Sequence, residues 1–431
     1  MKLKPETGTA DGNVCCSNRY AVPYHEVMRQ DELSVTLSLG PAPYQQTLVS
    51  SLQRAGILRR VFDMRAGLQV LEPNGADGLN MIERFPTTQF SIRVVWAIWR
   101  RLPKSIRPRP PAPFNVWLHD KLMSMRLPPS TIFHSCTATC LACIKAAKRH
   151  GTITLVESAS RHPRHWAQTE AEESSRFGID TRDGSGNLGV GLRRRQEEEY
   201  QLCDRILVPS TVAKHSYAEF GYGDKTKVVP TGVDADFFTP GKAQAQQEIF
   251  RACYVGRVEL SKGLGYLLQA WKKLSLPKAE LVLVGAVNDH MQPLLREHAD
   301  RSVIATGHLS PHELRRYYQN SDAFVFASPN EGLAQVLLEA MASGLPVVTT
   351  DMSGANDCVT NGKEGIIVQA RNVDQLAEAI LWCYEHRQEA RAMGAAARAK
   401  IESQFTLEHY NQRVIALYRS LALSRYLLSR R

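Results

Sequence analysis

The chain has 431 residues, 43% of them hydrophobic and 22% charged, a composition that argues for a globular protein of two or three domains and against a disordered or membrane-spanning one. A net charge of +10 points to an acidic partner, phosphates or anionic lipid, and no nucleic-acid-binding motif accompanies it. Nine cysteines without framework spacing fit reduced thiols in a cytoplasmic protein.

Residues 1–30 carry no periodicity and no signal-peptide-like apolar run, and read as a flexible leader. LSVTLS (33–38) reads as a strand, followed by a turn at Gly40–Pro41 and a helix through YQQTLVSSLQRAG (44–56). The stretch 60–128 is poorly patterned. Within it, residues 90–109 (FSIRVVWAIWRRLPKSIRPR) interleave tryptophans and apolar residues with six basic ones, the pattern of a helix lying on an anionic membrane surface or of a core helix before a basic loop.

Strand–helix alternation resumes at TIFH (131–134), TITLV (152–156) and DRILV (204–208). It sharpens from residue 249 in IFRACYV, ELVLV, SVIA, AFVFA, PVVTT and GIIV, each followed by a helical segment. Short apolar strands between amphipathic helices predict parallel, doubly wound sheets, hence an α/β protein of two Rossmann-like domains facing a cleft. The expected divisions are 31–229, 230–405 and a C-terminal helix over 406–431 that crosses back to the first domain.

Three patterns have bland competitors. Cys136, Cys140 and Cys143 have a C-x3-C-x2-C spacing compatible with an iron–sulfur cluster, but i, i+4, i+7 is also one face of a helix, and that reading is preferred. Gly184, Gly186 and Gly189 match G-x-G-x-x-G, yet the polar flank SSRFGIDTRD provides no preceding strand, so a loop is expected. Asp234 and Asp236 form a D-x-D in a turn after VVPTG, where solvated carboxylates are the ordinary outcome. No metal or other cofactor is expected.

The stretch SPNEGLAQVLLEAMASGLPVV (328–348) is more specific. Glu331 falls at the carboxyl edge of a parallel strand, where open α/β sheets bind ligands. A helix is predicted over 333–343, ended by Gly344 and Pro346, so the N–H groups of Leu333, Ala334 and Gln335 face an anion or hydroxyl oxygens. Glu339, eight positions on, is about 12 Å away at helical rise, too far for the two carboxylates to share one glycosidic bond. The pair suits the two ends of an elongated, hydroxyl-rich ligand. Upstream, CYVGRVELSKGLG places Gly256 and Arg257 at a strand end and Lys262 at a helix start, a clamp for a diphosphate. Diphosphate in the middle and hydroxyls at both ends describe a nucleotide sugar.

The ordered set GVD, GR…KG, TGHLSPHELRRYYQNSDAFVFASPNEG, LLEAMASGLPVVTT and TNGKEGIIV, over roughly 200–415, resembles family 4 of the retaining GT-B glycosyltransferases. The resemblance implies transfer of a hexose-type sugar from a UDP- or GDP-sugar to a glycan or lipid-linked acceptor. It also implies retention of configuration by front-face attack, without an essential metal. Arg257, Lys262 and Gly256 would hold the diphosphate, with Leu333, Ala334 and Gln335 beside it. Glu331 would contact the sugar and Glu339 the ribose. Gly40 stands in the family's first glycine loop. The histidine usual after TITLV is replaced by Glu157, which leaves His162 as the acceptor-side candidate. Leu333–Ala334 replaces the common Phe-Gly. An inactive donor-binding or membrane-surface scaffold subunit, and a nucleotide-sugar epimerase, are the competing functions.

Overall fold

The computed structural model describes residues 33–40, 44–63, 82–83, 101, 112–179, 190–241 and 248–430. The leader, the G-x-G-x-x-G loop and, apart from Arg101, the basic segment 90–109 lie outside them. In the first half the strands are β1 (Val35–Leu39), β2 (Leu58–Asp63), β3 (Ile82–Glu83), β4 (Ile132–Cys136), β5 (Ile153–Glu157), β6 (Arg205–Val208) and β7 (Thr226–Val228). The helices among them are α1 (Tyr44–Arg54), α2 (Ala112–Arg126), α3 (Leu141–Arg149), α4 (Pro163–Phe177), α5 (Val190–Leu202) and α6 (Thr211–Ala218). They form one sheet in the order β3-β2-β1-β4-β5-β6-β7, parallel at every pairing. The sequence reading missed β2, β3 and β7: Arg59 and Arg60 interrupt the apolar run of LRRVFD, and the other two are only two and three residues long.

The second half contributes β8 (Phe250–Val255), α7 (Leu264–Leu274), β9 (Ala279–Val284), α8 (Gln292–His298), β10 (Val303–Gly307) and α9 (Pro311–Gln319). It continues through β11 (Ala323–Phe326), α10 (Gln335–Ala342), β12 (Val347–Thr350), β13 (Gly365–Val368), α11 (Val373–Glu385) and α12 (Arg387–Gln404). The strand order is β10-β9-β8-β11-β12-β13, again parallel. In both sheets the strand order reverses beside the first strand, between β1 and β4 and between β8 and β11. Those are the switch points where such sheets bind ligands. This is the GT-B architecture of two Rossmann-like domains.

Near-continuous apolar strands such as FRACYV and AELVLV are buried on both faces and build one core in the second domain. The first sheet has a core on each face. One of them is completed by α13 (Leu407–Ser429), whose Tyr410, Val414, Tyr418 and Ala422 recur every four residues and are buried against the first-domain cluster. The last helix therefore crosses back. Burial of that stripe contributes on the order of 5 kcal/mol to keeping it there. The two crossings run side by side: Val233 N–H donates to Phe405 O (2.9 Å) and Leu407 N–H to Val233 O (3.2 Å). A Cβ at Gly232 would overlap the Thr406 carbonyl, so only glycine lets these two crossing segments touch.

Candidate active site

The second-domain switch point gathers three segments. After β8 the chain turns at Gly256 (φ 146°), where a Cβ would meet the Tyr254 hydroxyl at 2.9 Å. It then passes Arg257 and enters a single 3-10 turn, Leu260–Lys262, closed by Gly263 in the left-handed region (φ 74°). A Cβ at Gly263 would overlap the carbonyl of Ala327, just beyond β11. That close approach brings Lys262 to Glu331, 69 positions along the chain, with Nζ 2.6 Å from Oε1. Ser328 Oγ donates to the same oxygen (3.0 Å). Glu331 Oε2 accepts no hydrogen bond among the described residues. Arg257 pairs with Glu259 at 3.0 Å and has 42% of its side chain exposed.

The helix after Glu331 starts later than the sequence suggests, at Gln335. Leu333 and Ala334 are buried in the loop, and the Ala334 N–H is spent on Ser353 O (3.2 Å). The Gln335 side chain holds Gly232 O (3.0 Å). Of the three amides expected to face a ligand, Ala334 is therefore withdrawn. The N–H groups of Gln335 and Val336 have no acceptor among the described residues. Glu339 lies inside α10 and accepts from the buried Tyr318 hydroxyl (3.0 Å). Burial pushes its carboxyl up to about 7, with the Tyr318 bond acting the other way.

Two first-domain expectations are overturned. His162 is fully buried and caps α4: its Nδ1 accepts from Arg164 N–H (3.3 Å) and its own N–H donates to Ser216 Oγ (2.9 Å). The ring stacks on Phe220 at 4.3 Å among Tyr200, Tyr217 and Tyr222. Burial, then Arg164, lowers its pKa to about 4, so the neutral ring keeps its proton on Nε2, towards Glu197 (3.5 Å). It is a helix cap in an aromatic cage, with no face towards an acceptor. Gly40 likewise has no amide to offer, because its N–H donates to Gln45 Oε1 (2.9 Å). Gln45 Nε2 in turn donates to Glu157 Oε2 (2.5 Å), whose other oxygen accepts from Tyr410 of α13 (3.0 Å). Glu157, in the place of the usual histidine, is thus the buried joint between the first loop and the last helix.

The competing motifs resolve as helix and turn. Cys140 is the N-cap of α3 and donates to Cys136 O, and Cys143 donates to Asp120 O. Burial, then Glu157, pushes the Cys136 thiol up to about 12. Amides at the start of this helix and in the turn before it are taken by protein carboxylates: Glu199 takes Ala138 and Cys140, and Asp120 takes Ala142 and Cys143. Asp234 Oδ1 accepts the N–H groups of Asp236 and Phe237, an ordinary turn. Among the described residues no group of three or more His, Cys, Asp or Glu is arranged to hold a metal.

The first domain closes on this edge through α4 and the loop before it. A Cβ at Gly332 would overlap the Ala159 carbonyl, and one at Gly265 would overlap the Phe177 ring. Ser210 Oγ donates to Gly332 O. Arg371 binds Glu172 (2.6 Å) and the buried Glu173 (2.7 Å), which also accepts from Tyr266 (2.7 Å). None of these cross-domain pairs could be paired from sequence, although AEE (171–173) was part of the segment matched to the first domain.

Comparison with known proteins agrees with this layout. Residues 238–400 match the family model of glycosyl transferases group 1. D-inositol 3-phosphate glycosyltransferase of Corynebacterium urealyticum is 29% identical over 259 residues, 53% of this chain and 61% of that protein. A GDP-mannose-dependent alpha-(1-6)-phosphatidylinositol monomannoside mannosyltransferase of Mycobacterium tuberculosis is 29% identical over 225 residues, 47% and 58% of the two chains. The chain spans about three-fifths of the length of these relatives. Sucrose-phosphate synthase from Thermosynechococcus elongatus superposes with a TM-score of 0.65 at 18% identity, over 90% of this chain and 99% of that one. Anabaena HepE in complex with UDP and glucose superposes with 0.61 at 16%, over 90% and 100%. Residues 238–400 are therefore similar to the group 1 glycosyltransferases, in a chain with the two-domain GT-B fold.

Proposed function

We propose that this chain transfers a hexose-type sugar from a nucleoside-diphosphate sugar to a glycan or lipid-linked acceptor, with retention of configuration. The observation that carries this is the Lys262–Glu331 pair at the second-domain switch point, with Arg257 alongside. Two cations suited to a diphosphate and one carboxylate suited to sugar hydroxyls converge there from two loops. In this reading the incoming diphosphate replaces Glu331 as the partner of Lys262. The released carboxylate then takes a sugar hydroxyl, while Lys262, Arg257 and the Gln335 and Val336 amides meet the charge that grows on the leaving diphosphate. Glu339 binds the ribose hydroxyls. That charge has protein partners throughout, so no metal is part of the proposal, and turnover undiminished by a chelator checks this.

Two of the relatives are named for inositol-containing substrates, which supports a polyol or glycolipid acceptor. No described helix is long and apolar enough to cross a membrane. Residues 90–109 are proposed to bring the enzyme to an anionic surface, tested by co-sedimentation with anionic vesicles at low and high salt. The test of the main reading is a panel of UDP- and GDP-sugars, measured by calorimetry for binding and by nucleotide release for turnover. A chain that binds none of them would end it.

A further inference from the structure

Glu259 lies two residues beyond Arg257, at the entrance of the 3-10 turn that carries Lys262, with extended backbone (φ −148°, ψ 160°). The residue is only 6% exposed. Its carboxylate makes no cap bond to that turn and instead collects three side chains. Ser261 Oγ donates to Oε1 (2.6 Å), Arg257 Nη2 lies 3.0 Å from Oε1, and Asn288 Nδ2 donates to Oε2 (3.0 Å). Asn288 belongs to the loop after β9, which is stitched to the β8 loop by Val258 N–H to Ala286 O (2.9 Å) and Asn288 N–H to Val258 O (3.2 Å). Ser261 O also accepts from Ser328 Oγ (3.3 Å), so Glu259 is anchored to the same framework that holds Glu331.

Arg257 is the opposite kind of group: long, rich in rotamers and exposed over 42% of its side chain. Holding such a side chain for a ligand costs conformational entropy unless something fixes it beforehand. A pinned, buried carboxylate can fix the orientation of a guanidinium, because the fork is planar and carries five N–H groups. Glu170, on α4 of the first domain, has its carboxyl pushed up by burial and then by Glu259, with Arg257 among the charges acting the other way. We infer that Glu259 is a positioning residue of the diphosphate clamp, holding Arg257 oriented for the donor. The inference rests on the donor reading above.

A plain loop staple between the β8 and β9 loops would use the same hydrogen bonds, and a double-mutant cycle separates the two roles. Binding of UDP and of GDP is measured by calorimetry on the full chain as wild type, Glu259→Gln, Arg257→Ala and the double variant. Positioning through Arg257 predicts that Glu259→Gln weakens the nucleotide that the wild type binds by about 5–20-fold, yet by no more than about 2-fold once Arg257 is gone. Equal losses in both backgrounds would show a staple and overturn the inference, and so would tighter binding by Glu259→Gln. Should that variant fail to fold, Glu259→Asp replaces it, keeping the charge but shortening its reach. A smaller loss that still depends on Arg257 is then expected, and independence from Arg257 overturns the inference. A wild type that binds neither nucleotide sinks the donor reading and this inference with it, an outcome distinct from a cycle that fails in a chain that does bind.

Discussion

Glu339 offers the sharpest test of the donor site, because its protonation and its proposed role are linked. Burial within α10 pushes its carboxyl from 4.5 to about 7, whereas accepting two ribose hydroxyls requires the ionised form. If nucleotide binds only to that form, affinity follows the ionised fraction. With a pKa near 7 this fraction is about 9% at pH 6 and about 91% at pH 8, a gain of about 10-fold in affinity. The nucleotide's own terminal phosphate titrates in the same range, so the control is Glu339→Gln, which retains only the phosphate's part of the profile. Calorimetry with UDP and GDP from pH 6 to 8 should therefore show a steeper rise for the wild type. Superimposable profiles would refute the argument. Stability has the opposite sign: a raised folded value means that the native state holds a proton which the unfolded chain releases. The contribution of Glu339 is fully present below 4.5 and lost as pH rises through about 7. Glu339→Gln should accordingly raise the melting temperature more at pH 8 than at pH 5.

Glu331→Gln should leave nucleotide affinity within about 3-fold of wild type while lowering turnover by about 100-fold or more, as loss of a group stabilising the transition state does. Loss of nucleotide binding with turnover intact at saturation would exchange the roles of the two glutamates. Arg371→Ala leaves the buried Glu173 with only the Tyr266 hydroxyl of its two second-domain partners and should cost about 3 kcal/mol in denaturant unfolding, the low end for an orphaned buried charge. Gly265→Ala drives a methyl into the Phe177 ring and should destabilise by about 1–3 kcal/mol, with small-angle scattering reporting a wider separation of the domains. His162→Ala should lower stability by about 1 kcal/mol or more through the lost cap and leave turnover at saturation nearly unchanged, whereas a catalytic histidine would abolish it.

Much of the fold was legible in the sequence because its signals are local. Runs such as FRACYV, AFVF and PVVTT are apolar on both faces, glycines and prolines bound them, and a parallel sheet is what such runs can form. The placement of Glu331 and Arg257 at strand ends followed from the same alternation, since a residue just past a parallel strand falls on the ligand-binding edge. LRRVFD escaped notice because two arginines interrupt a strand whose Val61 and Phe62 are buried in the cores on opposite faces of the sheet. The interior polar pairings escaped for a deeper reason. Whether an N–H, a thiol or an imidazole is available to a ligand depends on what lies within 3 Å of it in space, and that partner can be hundreds of residues away. Gly40 lost its amide to Gln45, which answers to Glu157 and through it to Tyr410 in the last helix. His162 stood as an acceptor-side candidate until an aromatic cage and the start of α4 enclosed it. The sequence alone determined which chemistry the chain carries and the strand edges where it lies. Tertiary structure decided which of those groups are still free to use it, because hydrogen-bond capacity is consumed by whichever partner the fold brings first.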